Sequence, residues 1–156
     1  MVLLASCGGG GTGTFTAATP LASVCALLTP VDVAAIFPDA ISGGEYPIID
    51  TVNIWGSECH WHPSQAYLPT LALTVYGAKT PPGLTGLVPP SDPGTVSTLV
   101  TGIGTAARYW EQVSLGNGLW ALEGSWTVNL AASYFTTPLT EAQLRPLVAR
   151  ALGELE

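Results

Sequence analysis

The feature of this sequence that most constrains its fold is a strict alternation of apolar and polar residues in two runs. The runs are the second half of residues 67–76 and residues 126–132. Alternation places every second side chain on one face of an extended chain, so each run predicts a strand with one buried face. The apolar positions are Leu71, Leu73 and Val75 in the first run and Trp126, Val128 and Leu130 in the second. Turn signals at Gly116-Asn117-Gly118 and Gly124-Ser125 then predict an antiparallel meander.

Two segments carry helix signals, one on each side of these strands. Thr29-Pro30-Val31-Asp32 combines a capping residue, a proline suited to the first helical position and an acid in the first turn. Residues 140–155 begin with Thr140 and Gln143 in capping-box spacing and continue with an apolar stripe. We therefore expect an α+β fold, in which a single curved antiparallel sheet has N-terminal and C-terminal helices packed on one face.

Three other segments are assigned by composition. Residues 41–45 are expected to form a turn built on Gly43-Gly44. Residues 79–93, rich in proline and glycine, are expected to form an irregular loop. Residues 95–100 fit either a helix or a strand, and we assign them to a short helix.

The charge balance excludes one class of function. The 156 residues are 47% hydrophobic, enough for the core of a single domain, but only 10% charged. Eleven acids against four basic residues give a net charge of −7. The basic residues are Lys79, Arg108, Arg145 and Arg150. Such a chain has no basic patch to displace phosphate counterions, so we expect no nucleic-acid partner.

The N-terminus predicts a lipid anchor. Leu4-Ala5-Ser6-Cys7 resembles the lipobox of bacterial lipoprotein precursors, in which the cysteine thiol carries a diacylglycerol. None of the six residues before Cys7 is basic, although a secretory signal needs basic residues and a longer apolar stretch, so we expect the true start to lie upstream of Met1. The expected organisation is a signal-peptide remnant over residues 1–6, the lipidated Cys7 with a flexible Gly/Thr-rich tether over residues 7–20, and one domain over residues 21–156. Membrane contact is then through the lipid, because no run of about 18 apolar residues exists.

If Cys7 carries lipid, two cysteines remain, Cys25 and Cys59. In an exported chain such a pair predicts a disulfide. The alternative is two buried free thiols in a cytosolic protein whose Cys7 is also unmodified. The lipobox favours the disulfide.

Cys59-His60-Trp61-His62 is the strongest candidate for metal chemistry. On a strand, His60 and His62 point to the same side, and Glu58 lies on that side too. Two histidines spaced in this way can supply two ligands, but a metal ion needs a third or fourth ligand from elsewhere. The alternative is that Cys59 and Trp61 face the core while both imidazoles face water.

Gly102-Ile103-Gly104-Thr105-Ala106-Ala107 fits a dinucleotide-binding fingerprint on paper, with Glu123 at the expected distance. The context contradicts it, because a helix must follow these glycines and a hairpin signal arrives instead. We therefore interpret the segment as a tight turn whose glycines adopt positive φ, and we expect no cofactor.

The sequence contains no nucleophile signature, such as G-x-S-x-G or S-x-x-K. Five tryptophans are many for this length. Strand parity assigns Trp61 and Trp126 to the core, whereas Trp55 and Trp110 remain candidates for contact with a ligand or partner.

Three segments together resemble the small exported lipoproteins of actinobacteria that are classed as a domain of unknown function. The segments are residues 25–34, Cys59-His60-Trp61, and residues 102–107 with Trp110. The resemblance spans most of residues 24–155, although Thr105 stands where an acid is usual. It implies an extracytoplasmic α+β domain with Cys25 and Cys59 paired, and it carries over no catalytic residue.

The function expected from the sequence is therefore non-catalytic binding by a lipoprotein anchored on the outer side of the bacterial cell membrane. Its partner would be an envelope protein, a cell-wall component or a small ligand. The alternative is a metal-dependent enzyme or metal-binding protein that uses His60 and His62.

Overall fold

Strands dominate the computed structural model of the protein, which describes residues 14–81 and 94–156. The strands are β1 (Ala40–Asp50), β2 (Ile54–Pro63), β3 (Thr70–Ala78), β4 (Thr95–Val100), β5 (Ala106–Gln112), β6 (Gly116–Glu123) and β7 (Trp126–Ser133). The helical elements are a 3-10 turn (Cys25–Leu27), α1 (Pro30–Ala34) and α2 (Glu141–Gly153). The predicted lipid anchor at Cys7 and most of the predicted loop over residues 79–93 lie outside the described residues.

The strands form one sheet in the order β1-β2-β3-β7-β6-β5-β4, and every neighbouring pair is antiparallel. Two meanders, β1–β3 and β4–β7, therefore meet where β3 pairs with β7. The chain leaves β3 at the centre of the sheet and begins β4 at its far edge.

The hydrophobic core lies on one face of this sheet. Leu71, Leu73 and Val75 of β3 are fully buried, as the alternation in the sequence predicts. Trp61 is also buried on this face, and Trp126 packs against the same cluster. The 3-10 turn, α1 and α2 contribute side chains to this single cluster, and α2 packs against β6 and β7.

The expected α+β class with N-terminal and C-terminal helices is wrong, because the fold is β-rich. Only α2 is a helix of ordinary length; the N-terminal elements are a 3-10 turn of three residues and the five residues of α1. The assignment of residues 95–100 to a helix is also wrong. These residues, Thr-Val-Ser-Thr-Leu-Val, form the edge strand β4, because pairing with β5 and β-branched side chains favour the extended chain.

Two turn predictions need correction. Residues 41–45 lie inside β1, where the glycines allow a register shift between Ser42 and Gly44 instead of a turn. The hairpin signal at residues 116–118 lies within β6, and residues 113–115 make the connection after β5. By contrast, Gly124 adopts φ 52° in the expected turn between β6 and β7.

Both predicted helix starts are confirmed. The Thr29 side chain accepts a hydrogen bond from the Asp32 amide, and Thr29 donates its own amide to the Asp32 carboxylate at 2.7 Å. The hydrogen bond from the Thr29 hydroxyl is the main cause that holds the pKa of Asp32 below its usual range. Thr140 and Gln143 make the same reciprocal box at the start of α2.

We expect Thr140→Ala to lower the free energy of unfolding by about 1 kcal/mol, because the substitution removes the acceptor for the Gln143 amide. Urea denaturation followed by tryptophan fluorescence measures the change. Thr137→Ala, an exposed neighbour outside the capping box, is the control. Equal effects of the two substitutions would contradict a role for the cap.

A disulfide joins Cys25 of the 3-10 turn to Cys59 of β2, as predicted. The chain before this turn also contacts the sheet, because the Ala18 amide donates to the Ala78 carbonyl at 2.7 Å. Contact with the sheet therefore extends upstream of Leu21, the first residue of the domain expected over residues 21–156.

Candidate functional site

The face of the sheet opposite the core carries a set of polar and aromatic side chains. In β2, the core takes Trp55, Cys59 and Trp61, so the residues of opposite parity, Glu58, His60 and His62, point to the other side. Within the described residues, the helical elements contribute their apolar side chains to the core cluster. We call the opposite side the uncovered face.

One row of residues crosses the uncovered face from edge to edge. Directly paired residues of neighbouring strands share a face, so the register connects them into a line perpendicular to the strands. In spatial order from β1 to β4, the row is Tyr46, Glu58, Thr74, Asn129, Trp120, Arg108 and Leu99. We call this line the transverse row; neighbouring members lie on strands about 4.8 Å apart.

The β1–β3 half of the row centres on the Glu58 carboxylate. One carboxylate oxygen contacts Nε2 of His60, and the other accepts a hydrogen bond from the Thr74 hydroxyl. The His60 and Glu58 side chains are 32% and 26% exposed, so the pair is accessible from the solvent side. The Tyr46 ring lies against the His60 ring with centroids 4.8 Å apart.

Tyr76 lies beside this half of the row, over Gly56. The glycine makes room for the phenol, because a Cβ at position 56 would overlap the Tyr76 ring. Burial, and then the negative charge of Glu58, raise the pKa of Tyr76. The phenol is therefore a neutral hydrogen-bonding group at physiological pH.

The β4–β7 half of the row is organised by Trp110 and Asn129. The Trp110 indole donates from Nε1 to Oδ1 of Asn129 at 3.0 Å. Its ring occupies the space above Gly118, where a side chain would overlap it. This packing leaves Trp110 only 3% exposed, whereas Trp120, in the row itself, is half-buried.

Of the two tryptophans left as candidate contact residues, neither presents an exposed ring. Trp110 is buried over Gly118. Trp55 lies on the core side and is 8% exposed. Its ring meets the Trp126 ring edge to face, with the ring centroids 6.2 Å apart. The exposed aromatic residue of the transverse row is Tyr46, at 49%. The sequence did not single out this residue, because its position depends on the pairing of β1 with β2.

His60 and His62 lie on the same face, as their spacing predicts, but they engage different neighbours. His60 contacts Glu58, whereas Nδ1 of His62 lies 2.8 Å from the Pro63 carbonyl, to which it can donate. The His62 ring packs against Tyr67 with centroids 5.4 Å apart. Within residues 14–81 and 94–156, no three histidine, cysteine, aspartate or glutamate residues are grouped to hold a metal ion.

The glycine-rich segment at residues 102–107 is the tight turn that its context indicated. Gly102 and Gly104 adopt φ of 78° and 54°, and the segment joins β4 to the antiparallel β5 rather than to a helix. The backbone geometry of a dinucleotide-binding unit is thus not formed at these residues.

A concave region lies on the core side of the sheet, at the end of the β5–β6 hairpin. It is a cavity of about 430 Å³. Its apolar lining includes Val96, Val113, Leu115, Tyr134 and Phe135. The volume is within the range of small-ligand pockets.

A hydrogen-bond network adjoins this cavity through Asn117, one of its lining residues. Nδ2 of Asn117 lies 3.0 Å from the Tyr109 hydroxyl, and that hydroxyl lies 2.9 Å from the Leu139 carbonyl. Burial, and then the hydrogen bond and charge of Glu111, raise the pKa of Tyr109. The phenol therefore stays protonated and can donate to the chain just before α2.

Comparison of the chain with models of protein families, with curated proteins and with solved structures finds no match.

Proposed function

We propose that this chain is the extracytoplasmic domain of a bacterial lipoprotein, held on the outer side of the cell membrane by lipid on Cys7, and that it binds a partner without catalysis. The observation that carries the proposal is the disulfide between Cys25 and Cys59. Disulfides persist in exported proteins and are rare in the reducing cytosol. The location that the bond favours is the one that the lipobox predicts.

The described N-terminal chain is compatible with such an anchor. It is held to the sheet at Ala18, so the Gly/Thr-rich residues between Cys7 and this point would separate the lipid from the domain. Within residues 14–81 and 94–156, no helix is both long and apolar enough to cross a membrane. In the proposal, the lipid alone supplies the membrane contact.

The uncovered face is the surface we assign to partner binding. The transverse row offers an exposed phenol at Tyr46, a carboxylate at Glu58 and a guanidinium at Arg108. Polar groups of this kind, set between aromatic rings, give orientation and specificity to a bound partner. The partner classes are an envelope protein, a cell-wall component or a small ligand.

The Glu58 carboxylate organises the polar groups on this half of the face. The Thr74 hydroxyl donates to Glu58 and not to His60, so the imidazole is not placed to take the hydroxyl proton. Glu58 instead serves to fix the orientation of both neighbours. His60 therefore contacts the same carboxylate that accepts the hydrogen bond from Thr74.

We expect Cys7→Ala to release the protein from the membrane fraction when the full reading frame is expressed in a bacterium. The wild-type chain should sediment with membranes and should have the mass of a diacylglyceryl-modified chain beginning at Cys7. The variant lacks the thiol that carries the lipid, so it should lose both properties.

Ser6→Ala is the matched control, because it keeps a small residue before the modified cysteine. It should behave as the wild-type chain does. A wild-type protein that is soluble and unlipidated, with thiols at all three cysteines, would refute the proposed location.

A further inference from the structure

Four of the large apolar side chains that the fold leaves exposed lie around one cavity, at the end of the β5–β6 hairpin. They are Val96, Val113, Leu115 and Tyr134, each at least 46% exposed. Single exposed apolar side chains are ordinary, whereas several around one concave surface are typical of a binding groove. The cavity is therefore a candidate site separate from the uncovered face.

One row of residues on the core side of the sheet contributes to this cavity. In spatial order from β4 to β7, the row is Val96, Glu111, Asn117 and Ala132, and all four line the cavity. β5 and β7 are two strand spacings apart, so Glu111 and Ala132 lie about 10 Å from each other across the row. A small ligand can span this distance.

Among the described residues that line the cavity, Glu111 is the one that carries a charge. Its side chain is exposed, so a ligand can reach the carboxylate. The Tyr109 hydroxyl lies 3.0 Å from Oε1 of Glu111 and in turn accepts a hydrogen bond from Asn117 at 3.0 Å. An ionised carboxylate accepts about four hydrogen bonds, so Glu111 keeps acceptor capacity for a ligand.

Two aromatic residues line the β7 side of the cavity. Tyr134 has a φ of 62°, a left-handed conformation that is uncommon for a bulky side chain and that clusters at binding sites in proteins. Its ring is 64% exposed. The Phe135 ring packs edge to face against Phe37, with the ring centroids 5.0 Å apart. Aromatic rings offer apolar contact area and also attract cations to their faces.

We propose that this cavity binds a small organic cation in which an apolar body carries one ammonium group. The ammonium contacts Glu111, and the apolar body packs against Tyr134 and Phe135. Charge selects this class of ligand, because the described lining offers a carboxylate and no basic residue, and the net charge of −7 also attracts cations. The inference goes beyond the proposed function, since it depends on neither the lipid anchor nor the uncovered face.

Isothermal titration calorimetry of the full chain with linear phenylbutylamine tests the proposal. Phenylbutanol and phenylbutyrate have the same apolar body but end in a neutral and a negatively charged group. We expect the amine to bind about tenfold more tightly than the alcohol, because a charge-assisted hydrogen bond is stronger than a neutral one. The carboxylate probe should not bind, because Glu111 repels it.

Glu111→Gln should remove the preference for the amine and leave the affinity for phenylbutanol unchanged. The amide keeps an oxygen for the Tyr109 hydroxyl but has no charge. Glu154→Gln is the matched control, because it removes the same charge from an exposed residue at the C-terminal end of α2. That residue is about 20 Å along the helix from the chain that lines the cavity, so the variant should bind as the wild type does.

Tyr134→Gly tests the apolar part of the site, because glycine adopts a positive φ without strain while the ring is lost. It should weaken the binding of both the amine and the alcohol and keep the circular dichroism spectrum of the wild type. Three results would each overturn the proposal: equal affinities for amine and alcohol, equal effects of Glu111→Gln and Glu154→Gln, or no heat of binding with the amine up to about 10 mM.

Discussion

Replacing Cys25 and Cys59 together by alanine is expected to lower the free energy of unfolding by about 3–4 kcal/mol. The two cysteines are 34 residues apart in sequence, and a cross-link across that distance removes much of the conformational freedom of the unfolded chain. The loss is a large fraction of the roughly 5–15 kcal/mol that stabilises an ordinary domain. Leu27 and Leu28, which are buried in the core beside the bond, should become the first part of the structure to open.

The measurement is urea denaturation of the double variant in a Cys7→Ala background, which removes the third thiol. Cys7→Ala alone is the control and should match the wild-type midpoint. Reduced Cys7→Ala protein should move toward the midpoint of the double variant. Identical midpoints with and without reductant would show that the bond does not stabilise the fold.

The disulfide and the helix caps could be predicted because their signals are local or compositional. Thr140 and Gln143 are three residues apart, and their side chains meet wherever a helix begins. The faces of Leu71, Leu73 and Val75 likewise follow from the two-residue period of a strand.

The strand order could not be predicted in the same way. No local pattern indicates that β3 pairs with β7, and this contact alone aligns the two halves of the transverse row. The assignment of residues 95–100 to a helix was wrong for a related reason. The pattern of a six-residue run does not distinguish a helix from a strand, and pairing with β5 determines that this run is a strand. Tyr46 and Trp120 therefore became members of one surface only when the whole sheet was assembled.

The structural role of Glu45 could not be predicted from the sequence around it. Within a segment expected to be a turn, it instead joins the N-terminal chain to the sheet from β1. One carboxylate oxygen accepts hydrogen bonds from the Ser23 hydroxyl at 2.7 Å and the Val24 amide at 3.0 Å. The other accepts from the Ser57 hydroxyl at 3.0 Å. The carboxylate thus fixes the start of the 3-10 turn next to the disulfide.

We expect Glu45→Gln to lower the free energy of unfolding at neutral pH by about 2 kcal/mol, because an amide replaces a charged acceptor of several hydrogen bonds. Burial by itself raises the pKa of Glu45, but the hydrogen bonds from Ser23, Val24, Ser57 and Cys25 outweigh it and hold the pKa below its usual range. The folded state therefore binds this proton less readily than the unfolded state does. The stabilisation is present above the pKa of the unfolded chain and is lost as the pH falls through the folded pKa.

The difference in unfolding free energy between wild type and Glu45→Gln should accordingly shrink as the solution is acidified through the range in which carboxylates titrate. Urea denaturation at a series of pH values measures it. Asp39→Asn, which removes an exposed carboxylate near the start of the same strand, is the control and should show little difference at any pH. A Glu45→Gln deficit that stays constant into strong acid would mean that the side chain acts through its shape, because a charged acceptor must lose its advantage once it is protonated.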